Sequence, residues 1–244
     1  MDRLIYTSLA AMRQAMTAQA ANANNIANSS TPGFHADQAR FATAYINQKQ
    51  SQARATAREL PSFTLMQAGV AVATGRTLDI APRENAWISV EDAQGITAYT
   101  RRGDLHLDDK GQLRTGDGLL VLGDNGPITV PANTNIALSD DGKVQSIGTD
   151  GTRSDLARLR LVSAAANALI KRQDGLFLPA SGQALNADPN ARIAPGHLET
   201  SNVDMGSTMV ELLSQARAYE FHARMIATSR DMDEKSAALM RIDN

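Results

Sequence analysis

Four histidines are the first candidates for metal or proton chemistry: His35, His106, His197 and His222. None stands from another at a ligand spacing such as HExxH, so each reads as an ordinary surface or interface histidine. A nucleophilic serine on a strained elbow would need GxSxG, which is absent. Gly116-Asp117-Gly118-Leu119-Leu120-Val121 comes nearest to a phosphate loop. It lacks the last glycine of GxGxxG and sits among turns rather than before a helix, so it reads as a hairpin turn. Gly142-Lys143 is followed by Val144, which rules out a P-loop. The acidic pairs Asp108-Asp109 and Asp140-Asp141 offer oxygens to calcium, but the alternating ligands and distant Glu of an EF-hand are missing. A pair of carboxylates for glycoside hydrolysis stays open on sequence grounds. The aromatic platforms that usually line a sugar site reduce to Trp87 and a few tyrosines. No cysteine is present, which excludes disulfides, thiol chemistry and cysteine-ligated metal. The sequence therefore assigns no catalytic residue, no cofactor and no metal ligand.

Charge excludes a second class. The formal net charge is −2, and no basic stripe provides the counterion release that nucleic-acid binding uses. No run approaches the roughly 18 apolar residues of a membrane span. The N-terminus has no long apolar segment of a cleavable secretory signal. Neither a nucleic-acid partner nor membrane insertion is expected.

What remains is the chemistry of packing, and it concentrates at the two ends. Ile5, Leu9, Met12, Met16, Gln19, Ala23 and Ile26 follow a 4-3 spacing, the heptad seam of a coiled coil interrupted by Gln19. Between Arg3 and His35 the only charge is Arg13, so the other faces of this helix are also suited to burial. Met205, Met209, Leu212, Ala216, Tyr219, Ala223 and Ile226 repeat the same spacing behind Asp204, a good N-cap. A helix of some 38 residues is about 57 Å long, more than a small domain buries. The two ends are therefore expected to pair as helices.

The middle reads differently. Ile136 and Leu138 precede Ser139-Asp140-Asp141-Gly142, and Val144 and Ile147 follow, a hairpin signal. Asp117-Gly118, Asn125-Gly126, Asp150-Gly151 and Asp174-Gly175 mark further turns. The expected fold class is α+β: terminal helices over 1–28 and 203–244 paired as a coiled coil, a connector over 29–77, and a central antiparallel all-β domain over 78–202. For the polar run 47–59 the sequence leaves open a mobile chain or a helix held by a neighbour.

Ala23-Asn24-Asn25-Ile26-Ala27-Asn28, followed by Thr31-Pro32-Gly33-Phe34, closely resembles the N-terminal signature of bacterial flagellar rod and hook proteins. The asparagines can end the helix through side-chain hydrogen bonds, Pro32-Gly33 turns the chain, and Phe34 anchors the turn. Ala98-Tyr99-Thr100-Arg101-Arg102-Gly103, Gly111-Gln112-Leu113 and Gly126-Pro127-Ile128 resemble central segments of that family. Leu198-Glu199-Thr200-Ser201-Asn202-Val203-Asp204 is similar to its closing signature, continued by Met209-Val210-Glu211 and Ala216-Arg217-Ala218-Tyr219-Glu220. Within the family the opening Met1-Asp2-Arg3-Leu4-Ile5-Tyr6 and the segment Ala86-Trp87-Ile88-Ser89-Val90 look most like a proximal rod protein. His35, where the family often has Lys or Arg, and Asp104-Leu105 depart from the pattern.

The resemblance implies a structural, non-enzymatic subunit of the periplasmic rod in the flagellar basal body, exported uncleaved through the flagellar type III apparatus. It implies assembly with itself and with other rod proteins, the distal rod protein among them, with the helices forming an inner tube and the β domain facing outward. The assembly residues are expected on the two helix seams, while Asn24, Asn25, Asn28, Thr31, Gly33, Phe34, Ser201, Asn202 and Val203 carry the family motif. Two alternatives stay open: another rod paralogue such as the distal rod protein, or a periplasmic enzyme acting on glycan through its β domain.

Overall fold

A computed structural model describes residues 2–48, 51–132, 134–148 and 151–242. Met1, Lys49, Gln50, Asn133, Thr149, Asp150, Asp243 and Asn244, which fall in motifs or ranges named above, lie outside the described residues. The chain forms an N-terminal helix α1 (Asp2–Ala27), strands β1 (Asp37–Gln48) and β2 (Ser51–Thr64), many short strands, and a C-terminal helix α2 (Met205–Ile242). Helices at the ends and antiparallel strands between them make the class α+β. The chain divides into two compact units. One holds α1, β1, β2 and α2. The other holds Asn28–Ala36 and Met66–Asn202, and the chain passes between the units after residues 27, 36, 65 and 202.

The β unit is built on a sheet that runs Leu169–Lys171, Phe177–Pro179, Thr97–Thr100, Ala86–Glu91, Leu120–Gly123, Leu113–Thr115, Leu105–Leu107. Leu161–Ser163 adds to Ala86–Glu91, and Asn135–Leu138, Lys143–Ile147 and Arg153–Arg158 form a separate three-stranded sheet. All pairings are antiparallel. Five of the six residues of Ala86–Glu91 are buried, because neighbours pair along the strand and apolar side chains cover both faces. Ile80, Ile88, Val90, Leu113, Val121, Val144, Leu159 and Ile193 are essentially inaccessible and form the main core. Trp87, Tyr99, Val162 and Phe177 form a second one. Burying each large side chain stabilises the unit by about 1.5–3 kcal/mol.

The expected hairpin at Ser139–Gly142 is present. Leu138 pairs with Val144, and Gly142 adopts φ +80° as it donates its N–H to the Ser139 carbonyl. That conformation suits a residue without Cβ.

The polar run 47–59 corrects the sequence reading. Neither a free chain nor a helix forms over its described residues, which continue β1 and β2. Register runs from Asp37 opposite Thr64 to Gln48 opposite Ser51, with irregularities at Gln38/Arg40 and Ile46/Gln48. Alanine and polar residues carry weak local preference, and the ladder supplied by the opposite strand decides the conformation.

Candidate assembly site

The helices pack on each other in one unit. The Asn22 amide donates to Glu211 Oε2 and to Gln215 Oε1, each at 3.2 Å. The most buried helical residues are small or polar: Ser8, Asn22 and Asn25 on α1, Thr208 and Ser229 on α2. They keep the expected seven-residue period. Ser8, Asn22 and Asn25 each stand one residue before the seam positions Leu9, Ala23 and Ile26, a rotation of about 100° around the helix.

The seam residues divide accordingly. Ile5, Met12, Ile26, Leu212, Ala216, Tyr219, Ala223 and Ile226 are half-buried, while Leu9, Met16, Ala23, Met205 and Met209 are exposed. Further large apolar side chains face solvent: Tyr6, Val210, Leu213, Phe221 and Met232, with Leu213 and Phe221 each 60% exposed. The single chain thus buries small and polar side chains most fully on its helices and leaves apolar surface outside. Exposed apolar surface of this extent marks an interaction face.

The family motif residues sit where the chain passes between units. Asn25 brackets Asp37: its amide donates to the Asp37 carbonyl at 2.8 Å and its oxygen accepts the Asp37 N–H at 2.9 Å. Thr64 donates its hydroxyl to Asp37 Oδ1 at 2.7 Å. The end of α1, the start of β1 and the end of β2 are thereby tied together. Asp204 caps α2: its carboxylate accepts the Gly206 N–H and its carbonyl accepts that of Thr208. Asn24 is exposed on the last turns of α1, and Val203 is half-buried just before the cap.

In the β unit, Asn28 and Thr31 close the turn after α1. Thr31 donates its N–H to the Asn28 carbonyl and its hydroxyl to Asn28 Oδ1. Gly33 has φ +65°, and a Cβ there would lie 2.4 Å from the Arg101 carbonyl carbon. Its N–H donates to the Glu199 carbonyl at 2.8 Å. Asn202 acts as a clasp. Its N–H donates to the Phe34 carbonyl, its side-chain oxygen accepts the Ala36 N–H at 2.7 Å, and its amide donates to the Gln67 carbonyl at 2.7 Å. Ser201 beside it is half-buried. Phe34 lies under the Lys171 ammonium at 3.9 Å, which also donates to the His35 carbonyl at 2.6 Å.

His35, Arg101 and Glu199 form the centre of this clasp, a role that the sequence reading did not assign to them. His35 is not a surface histidine: it is 1% exposed, stacked near Trp87 and Phe177 at ring distances of 5.6 and 5.7 Å. Its Nε2 stands 3.7 Å from Glu199 Oε1. Glu199 is buried and receives Arg101 Nε and Nη2 at 2.7 Å and the Gly69 N–H at 3.0 Å. Arg101 spends its remaining donors on the carbonyls of Pro82, Glu84 and Ala86. Glu84 holds φ +49°, and the Arg101 contact helps keep it there. A charge pair this buried is retained because hydrogen bonds satisfy both partners. Arg101 and Glu199 lie inside segments that had drawn notice for their pattern, but 98 residues of separation hid the pairing. The other histidines stay outside the clasp: His106 is exposed, and His197 and His222 are half-buried.

No group of three or more His, Cys, Asp or Glu side chains able to hold a metal occurs among the described residues. No described helix is long and apolar enough to cross a membrane. The arrangement is one of ties and faces.

Comparison with known proteins points the same way. Residues 5–35 match the family model of the flagella basal body rod protein, residues 84–146 that of the flagellar hook protein FlgE/F/G D1 domain, and residues 194–239 that of the flagellar basal body rod FlgEFG protein C-terminal region. The flagellar basal-body rod protein FlgF of Salmonella typhimurium is 36% identical over 97% of each chain. FlgF of Escherichia coli K12 is 34% identical over 95% of each. The rod protein FlgG of Bacillus subtilis is 29% identical over 99% of this chain and 100% of its own.

Proposed function

This chain belongs to the flagellar basal-body rod protein family, where it resembles FlgF, and from that premise we propose that it is a structural subunit of the proximal rod. Its helices α1 and α2 pair as a coiled coil and, with those of neighbouring subunits, build the inner tube of the shaft. Subunits join copies of themselves and other rod proteins, the distal rod protein among them. The chain reaches the periplasm through the flagellar type III apparatus without cleavage, and it catalyses no reaction.

One observation carries this reading. The helix pair turns small and polar residues inward and leaves Leu9, Met16, Met209, Val210, Leu213 and Phe221 outside. Each such side chain, once covered by a neighbour, contributes about 1.5–3 kcal/mol. A shaft under torque is held by many contacts of this kind.

The test uses residues that are exposed in the single chain. Leu213→Asp and Phe221→Asp leave the β unit folded and the protein exported, but basal bodies from these strains lack complete rods by electron microscopy. Normal rods in both variants would refute the assembly face.

A further inference from the structure

Asn22 joins α1 to α2 through a directional contact. It is 7% exposed and donates its amide to both Glu211 Oε2 and Gln215 Oε1, which stand one turn apart on α2. The rest of the packed face of α1 is small. Ser8, Ala11, Ala15 and Ala18 lead to Asn22 and Asn25 at alternating steps of three and four, and none of them is exposed. On α2 the same steps from Gln215 reach Thr208, Ala218, His222 and Ser229, again with none exposed.

The burial pattern also sets the direction of the pair. Ser8 lies two heptads before Asn22, Ser229 lies two heptads after Gln215, and both are buried. An antiparallel pair brings them to one level, whereas in a parallel pair each would lie beyond the end of the opposite helix. Small side chains at a seven-residue period match again after a slip of one heptad, so they do not define the register. Asn22 does. Slipped one way, its amide meets Ala218 and His222, and the Ala218 side chain has no acceptor. Slipped the other way, it meets Asp204 and Thr208, whose oxygens already close the start of α2. There Asp204 Oδ1 accepts the Gly206 N–H, and Thr208 donates its hydroxyl to the Asp204 carbonyl at 2.6 Å.

We propose that Asn22 is a positioning residue: by donating to Glu211 and Gln215 it selects one register of the antiparallel pair α1–α2. One polar residue in an otherwise small or apolar helix interface specifies register in this way. The register holds the exposed apolar side chains, Leu9 and Met16 on α1 with Leu213 and Phe221 on α2, at a fixed offset. A slip of one heptad displaces them by about 10 Å along the axis. In that consequence the inference rests on the reading of the chain as a self-assembling rod subunit.

Cysteine cross-linking of the isolated full-length chain reads the register, since the chain has no cysteine of its own. Ala18→Cys/Ala218→Cys reports the native register, one turn from the Asn22 contact. Ala18→Cys/Met225→Cys and Ala11→Cys/Ala218→Cys meet only after a slip of one heptad, because a disulfide needs Cβ atoms about 3.5–4.5 Å apart. With Asn22 in place the native pair oxidises at least about tenfold faster than either slip pair, and Asn22→Leu removes that preference. Glu211→Ala/Gln215→Ala takes the acceptors from the other helix and does the same. Both variants keep the melt of the β unit and are exported, but are missing from isolated basal bodies. Four results would overturn the proposal: equal oxidation of all three pairs with Asn22 in place, a native preference kept in either variant, no cross-link at all from both variants, or normal incorporation of either. A wild-type gene that failed to restore rods to a strain lacking it would overturn the rod reading instead, and the cross-linking result would stand.

Discussion

The two units bury opposite kinds of surface. The β unit closes a core of Ile, Leu and Val at essentially zero exposure and ties its loose ends with a buried Arg101–Glu199 pair. The helical unit hides Ser8, Asn22, Thr208 and Ser229 and leaves Leu213 and Phe221 at 60% exposure. The first arrangement is complete in one chain. The second leaves its main hydrophobic stabilisation to neighbours, since polar contacts net only about 0.5–1.5 kcal/mol each. A subunit that must assemble into a shaft gains from this division: one part folds by itself, and the other is finished by assembly.

The comparison breaks most sharply at the clasp. Arg101→Ala leaves Glu199 buried without its cation and removes the donors to three carbonyls. Loss of one partner of a buried pair costs about 3–5 kcal/mol, so thermal unfolding of the β unit should fall steeply. Gly33→Ala places a methyl against Arg101 backbone at a φ of +65°. Strain and overpacking there cost about 1–3 kcal/mol, again read by a melt of the β unit. Asn202→Ala removes the side-chain hydrogen bonds from Ala36 and to Gln67 and lowers stability by about 1–3 kcal/mol in the same melt. Asp204→Ala touches the other unit. It uncaps α2 at a cost of about 1 kcal/mol, seen as lost helical circular dichroism with the β-unit melt unchanged.

Acid sharpens the same contrast gently. In the β unit, the Ile96 N–H and Arg172 hold the Asp92 carboxyl below its ordinary range. Arg114 does the same for Asp108, the Ser139 hydroxyl for Asp141, Arg172 for Asp174 and the Ser163 hydroxyl for Asp188. Carboxyls depressed by folding give their full stabilisation above the unfolded value, near about 4, and lose it as pH falls through the folded values. Melts of the β unit should stay level down to about pH 5 and decline below it.

Much of this was legible in the amino acids. Both terminal helices follow from their seven-residue period, and the Ser139–Gly142 hairpin from its Asp-Gly turn. The phase of the helices was not legible: the packed face stands one residue from the apolar seam, because contact within one chain selects the small and polar side chains. The strands β1 and β2 were hidden by an alanine-rich polar composition whose conformation comes from the partner strand. The clasp was half visible. Asn25, Gly33 and Asn202 stood out in motifs, but His35, Arg101 and Glu199 meet only through a fold that joins positions far apart in the chain.

Amide hydrogen exchange on the isolated full-length chain and on assembled basal bodies tests the division of labour most directly. In the isolated chain, α1 and α2 should exchange far faster than the core strands Ala86–Glu91 and Thr97–Thr100, and the helices should become protected on assembly. Helices as protected as those strands in the isolated chain would contradict the account.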